Sequence, residues 1–124
     1  MAGTVRLRGI LLILFFLPAA APAQELFGAI AYSTGSGAYG WAKDHTSREA
    51  AERASLAACR KRAKDCRNVL WFKNGCGALA VSAKAYGWGW GSTQALADGE
   101  AIKACAKHAT GCKVTSQACT AGAS

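Results

Sequence analysis

The chain has 124 residues, 15 Lys and Arg against 7 Asp and Glu for a formal charge of +8, six Cys, and 52% hydrophobic residues. That balance excludes a disordered chain, and the length suits one compact domain. A moderate positive charge permits anionic partners without requiring them.

At the N-terminus, Arg6 and Arg8 precede an apolar run from Ile10 to Leu17 and then Pro18-Ala19-Ala20-Ala21-Pro22-Ala23. The run is too short to cross a bilayer as a helix. Basic flank, short apolar stretch and small residues at Ala21 and Ala23 predict a secretory signal peptide, 1–23, cut after Ala23. The competing reading is a retained membrane anchor. Cleavage leaves one secreted or periplasmic domain, 24–124, with no transmembrane segment, and loss of Arg6 and Arg8 takes the charge from +8 to +6.

Gly28-Ala29-Ile30-Ala31-Tyr32-Ser33 alternates small and larger residues, Thr34-Gly35-Ser36-Gly37 is turn-forming, and Ala38-Tyr39-Gly40-Trp41 resumes the alternation. This predicts a β-hairpin. Thr46-Ser47-Arg48-Glu49 fits a capping box in which Thr46 covers a free amide and Glu49 reaches back. A helix is expected over Ala50 to Ala63, which holds no Gly or Pro. Ala51, Ala54, Leu56 and Ala58 supply its apolar surface, and so much Ala allows close approach to a sheet. Arg67 to Phe72 reads as a further strand.

The order then starts again. Gly77-Ala78-Leu79-Ala80-Val81-Ser82 matches the first strand at an offset of 49, Ala85-Tyr86-Gly87-Trp88 repeats the earlier tetrapeptide at 47, and Cys105 and Cys112 follow Cys59 and Cys66 at 46. The length changes fall at predicted connections, where they are best tolerated. Self-similarity of this kind marks a duplicated supersecondary unit. The second copy holds a hairpin over 77–90, a cap at Ser92 or Thr93, a helix to about His108 and a strand from Lys113. The expected fold is α+β: a tandem, pseudo-symmetric, disulfide-stabilised ββαβ repeat, with one sheet of about six strands and two helices. Repeat one is 27–75 and repeat two is 76–120.

On a strand, Tyr39 and Trp41 share one face and Gly40 takes the other; Tyr86, Trp88 and Trp90 do the same around Gly87 and Gly89. A side carrying only Gly admits another backbone. The rings are then either core stacked beneath the helix or an exposed platform for sugars or bases. The burial value of large rings favours core. Trp90, which has no aromatic counterpart in the first copy, is the ring expected at the surface.

Six Cys in an exported chain allow fifteen disulfide pairings. The duplication pairs Cys59 with Cys66 and Cys105 with Cys112, each tying a helix's last turn to the next strand, and leaves Cys76 for Cys119. Zinc and redox readings fail because neither CxxC nor HxxxH occurs, so no metal or cofactor is expected. His45 and His108 sit in no catalytic motif. Nothing in the spacing of the seven carboxylates singles out a glycosidase pair, so no catalytic residue is assigned.

One charge concentration stands out, Arg60-Lys61-Arg62-Ala63-Lys64-Asp65-Cys66-Arg67. Cations at a helix end offset its exposed carbonyls, yet the second copy has only Ala106-Lys107-His108 there. Five cations therefore exceed the shared structural need. Arg60, Lys61, Arg62, Lys64 and Arg67, together with Trp90, form the candidate binding set. It suits an anionic envelope component or an acidic protein surface. Nucleic acid is not expected, because no binding motif accompanies the charge.

The segment Phe27 to Ser33, Tyr39-Gly40-Trp41, the Cys59 and Cys66 pair, Cys76-Gly77-Ala78-Leu79-Ala80 and Gly87-Trp88-Gly89-Trp90 resemble a family of small exported bacterial proteins. The family is known as a domain of unknown function, frequent in mycobacteria and proteobacteria. The resemblance covers 27–119. It implies a secreted, disulfide-bearing α+β domain with two related halves and supplies no catalytic residues. The function expected is a non-enzymatic exported binding or effector module. An inhibitor of a host or competitor hydrolase, presenting the Thr34 to Gly37 loop, is the alternative. A small hydrolase of envelope polymers comes third.

Overall fold

The computed structural model of the chain describes Gly3, residues 9–16 and residues 24–124. The element order is β1 (Phe27–Tyr32), β2 (Tyr39–His45), α1 (Arg48–Arg60), β3 (Arg67–Lys73), β4 (Cys76–Val81), β5 (Tyr86–Gly91), α2 (Gln94–Ala106) and β6 (Lys113–Cys119). Most of the expected leader, including Arg6, Arg8 and 17–23, lies outside the described residues. Ile10 to Phe16 are exposed and belong to no helix or strand. Among the described residues, no helix is long and apolar enough to cross a membrane.

Ser47, not Thr46, caps α1. Its backbone is still extended and its hydroxyl oxygen accepts the Ala50 N–H at 3.1 Å. That shift puts Glu49 in the first turn, where its charge meets the helix dipole instead of closing a capping box. Thr93 caps α2 in the same way, accepting the Leu96 N–H at 3.2 Å. Each helix then buries a stripe of every fourth residue: Ala51, Ser55 and Cys59 in α1, Ala97, Ala101 and Cys105 in α2.

The six strands divide into two antiparallel sheets, ordered β2-β1-β3 and β5-β4-β6, where one sheet was expected. The central strands explain the division. Ala29 and Ala31 of β1, and Ala78 and Ala80 of β4, are fully buried on the helix sides. Ile30 and Leu79, on the opposite faces, meet in an inter-sheet core with Tyr32, Leu70, Phe72 and Ala118. Each half thus lays small residues under its helix and large ones against the other half, giving the layer order helix, sheet, sheet, helix. A single wide sheet would leave the large residues in water.

Three disulfides form in the expected pairing: Cys59–Cys66 and Cys105–Cys112 with Cα atoms 6.0 Å apart, and Cys76–Cys119 with Cα atoms 4.0 Å apart. The last joins register partners on β4 and β6. The helices approach their sheets through glycine. A Cβ on Gly40 would fall inside the backbone of Ser55 and Cys59, and one on Gly87 inside that of Ala101 and Cys105. Gly99, within α2, has nothing within 4 Å of an added Cβ. Gly40→Ala and Gly87→Ala should each therefore cost at least about 1–3 kcal/mol in urea unfolding, through overpacking. Gly99→Ala should add about 0.5–1 kcal/mol.

Candidate functional site

Because Gly40, Gly87 and Gly89 face the helices, the aromatic residues between them face the other way. They do not lie beneath the helices, and most of them are not core. β2 and β5 are edge strands, so their rings run to the rim of the inter-sheet layer. Tyr39 packs partly buried against the core. Trp41, Tyr86, Trp88 and Trp90 are 46, 39, 47 and 64% exposed. A ring at a sheet edge has strand neighbours on one side only, which is why size did not secure burial.

The two halves diverge in the inter-sheet layer. β3 lies over β5, and β2 over β6. β3 points Leu70 and Phe72 inward, where β6 has Ser116 and Ala118. The Phe72 ring occupies the space that side chains at Gly28 and Gly77 would need. Bulky side chains hold β3 away from β5, while small ones let β6 approach β2 more closely. An unbalanced polar atom accompanies the small ones: the Ser116 hydroxyl is buried without a partner among the described residues.

The separation opens a groove of about 490 Å³, lined by Val69, Leu70, Trp71, Phe72 and Lys73 of β3 and by Trp88 and Trp90 of β5. Trp71, 41% exposed, is steadied by the Arg48 guanidinium, 4.8 Å above its ring, and by Phe27, 6.3 Å away. Beyond Val69, a concavity of about 190 Å³ continues past Arg67, Tyr86, Tyr32, Thr34 and Asp65. The rings of Tyr32 and Tyr86 lie 5.2 Å apart there, and burial, with Tyr86 beside it, pushes the Tyr32 phenol up.

The cations of the candidate set do not gather at one point. Lys61 and Arg62 share an open cleft of about 420 Å³ with Tyr39 and Trp41, whereas Arg67 borders the concavity beside Asp65. Arg60 and Lys64 are exposed. None of the five forms an ion pair among the described residues. The second half holds a counterpart cleft of about 770 Å³ lined by Tyr86, Trp88, Lys103, Lys107 and His108 among others. Trp90 lies on the groove, apart from Lys61 and Arg62.

Most carboxylates have structural partners. Glu25, Glu52 and Glu100 pair with Lys73, Arg48 and Lys103; Asp44 accepts the Ala121 N–H and Asp98 a Gln94 amide N–H, both at 2.7 Å. Among the described residues, no group of three or more His, Cys, Asp or Glu could hold a metal. The chain-level reading missed Trp71 and the groove itself. The available signal was Val69-Leu70-Trp71-Phe72 standing where the second copy has Thr115-Ser116-Gln117-Ala118.

A family described as a domain of unknown function, DUF4189, matches residues 27–119, the span from the start of β1 to the end of β6. The chain belongs to this family. It is similar to Protein Rv1269c and Protein MT1307 of Mycobacterium tuberculosis and Protein Mb1300c of Mycobacterium bovis, at 41% identity over 82 residues, or 66% of this chain and 63% of each relative. The match thus spans less than two thirds of the length of these relatives. No solved structure matches the chain. The family description assigns no activity.

The Thr34 to Gly37 loop is held from below by Asp65. The Ser33 hydroxyl donates to its carboxylate at 2.5 Å and the Gly35 N–H at 3.3 Å. The Ser33 hydrogen bond leads, with backbone N–H groups and Arg67 contributing, in holding this carboxyl below the usual aspartate range. A carboxyl with a depressed pKa in the folded chain steadies it above the ordinary value, about 4, and loses that effect as pH falls through the lowered one. Acid titration of the Gly35 amide signal should therefore show a midpoint below about 4, and Ser33→Ala should move it back up toward that value.

Proposed function

We propose that this chain is a non-enzymatic binding module acting outside the cytoplasm, with the β3–β5 groove as its binding surface. The observation that carries this reading is convergence: the Trp88 and Trp90 rings of β5 and the apolar run Val69 to Phe72 of β3 border one apolar groove. Single exposed apolar residues are ordinary, but a contiguous patch of them is characteristic of an interaction site. Trp also dominates binding hot spots, because one ring buries a large area at small entropic cost. Engagement of most carboxylates in ion pairs, hydrogen bonds and loop closure supports binding over hydrolysis. The three disulfides fit an oxidising compartment. Arg60, Lys61, Arg62 and Lys64, exposed and without ion pairs among the described residues, would attract an anionic partner or envelope surface and speed its encounter.

The Thr34 to Gly37 loop favours a second reading, inhibition of a hydrolase. Its turn is preorganised by Ser33, Ser36 and Asp65, as inhibitory loops need to be.

Calorimetry and Trp emission with the oxidised domain and fractionated envelope or culture material test the groove. Trp88→Ala and Trp90→Ala should each weaken binding at least tenfold, about 1.4 kcal/mol, without lowering the unfolding midpoint. Reversal of Lys61 and Arg62 should mainly flatten the salt dependence. Binding that survives both Trp substitutions but disappears on charge reversal would move the site to the cationic end of α1. An inhibitor would instead block a purified hydrolase at one-to-one stoichiometry.

A further inference from the structure

We infer that β3 is an acceptor edge: an extended segment of a partner protein adds to it as a further strand along residues 70–73, inside the groove, with acidic residues flanking its apolar middle. This rests on the groove being the binding surface and names the class of partner it takes.

The argument starts from the edges. β3 pairs only with β1, and among the described residues its outer side has no backbone hydrogen-bond partner. Natural sheets blunt such edges with charge, Gly, Pro or bulges. Two of the four edges here, β2 and β5, are blunted in that way, and a third, β6, has a polar middle. β2 carries Lys43 and a left-handed Asp44 (φ 60°), β5 carries three Gly, and the middle of β6 is Thr115-Ser116-Gln117. β3 alone presents an unbroken apolar run, Val69-Leu70-Trp71-Phe72. A register shift that sets Val69 out of the β1 ladder recurs at Thr115 in β6, so the bulge belongs to the shared fold and the apolar run does not.

The groove selects a polypeptide. Five consecutive residues of β3 line it, yet the inward side chains Leu70 and Phe72 are buried. What β3 offers there is largely its peptide backbone, whose N–H and C=O groups alternate at strand spacing. A second strand satisfies that pattern along its length, with its own side chains falling toward Trp88 and Trp90.

Charge argues against another molecule of the same chain. Antiparallel pairing of β3 with itself would set Arg67 of one chain toward Lys73 of the other, and the chain already carries +8. The same cations suit acidic residues at both ends of an incoming strand. Glu25 pairs with Lys73 at 3.2 Å, but both side chains are exposed, and such a pair is readily exchanged.

The test selects from a displayed library of unconstrained random nonapeptides on the oxidised full chain, then synthesises the recovered peptide in three forms. One is unmodified, and the other two are N-methylated at alternate amides, in complementary sets. The unmodified peptide should slow amide exchange at residues 70–73. One methylated set should lose at least tenfold in affinity and the other should bind nearly as well, because only one side of the peptide faces β3. Equal binding by all three forms, or no protection at 70–73, overturns strand addition. If that binding still depends on Trp90, the groove reading survives alone. Peptides that ignore Trp90→Ala overturn both. Recovery of no Trp90-dependent peptide, with dextran sulfate or a single-stranded oligonucleotide held in the groove instead, overturns strand addition as well.

Discussion

The structure depends on the approach of two helix backbones to two edge strands, which only glycine allows. At Gly40, Gly87 and Gly89 a methyl group would collide with α1 or α2, so the helices lie directly on the strands. Side chains alternate along a strand. Once glycine is committed to the helix side, Tyr39, Trp41, Tyr86, Trp88 and Trp90 must face the other sheet. The disulfides at the far end of each helix hold the same contact from the other direction. Aromatic exposure and the groove both follow from this packing requirement.

A second glycine contact sets the distance between the sheets. Phe72 rests over Gly28 of its own sheet and Gly77 of the other, so a large ring reaches the centre of the molecule. The equivalent of Phe72 in the second half is Ala118. Two nearly identical layers therefore meet through unequal side chains, close on the β2–β6 side and apart on the β3–β5 side. The duplication acts as an internal control. Features common to both halves, such as the capped helices, the bulges and the short disulfides, serve the fold. Features present in one half alone need another explanation. The groove is of that kind, and so is the part-buried tie between α1 and β3, where Ser55 donates to Asn68 at 2.6 Å; its counterpart is Ala101 beside Val114.

The cationic segment illustrates the difference between clustering along a chain and clustering in space. Arg60, Lys61, Arg62, Lys64 and Arg67 span the end of a helix, a turn and the start of a strand. Lys61 and Arg62 border a cleft with Trp41, while Arg67 turns to Asp65 near the mouth of the groove. Long-range attraction does not require the charges to meet at one point, so under the proposed function these dispersed cations would steer a partner toward the groove.

Period and repetition alone determined the ββαβ order, the duplication, the helix positions to within about two residues at their starts and the three disulfides, because these rest on local alternation, capping and spacing. Local reasoning also identified Trp90 as the exposed ring. It misplaced Trp41, Tyr86 and Trp88, since alternation separates the two faces of a strand without saying which is covered. Only the tertiary structure decided that six strands form two sheets and that glycine, not tryptophan, faces the helices. It also decided that Leu70 and Phe72 wedge one side open. Each of those outcomes depends on contacts between residues remote along the chain, where volume and strand position decide what is buried.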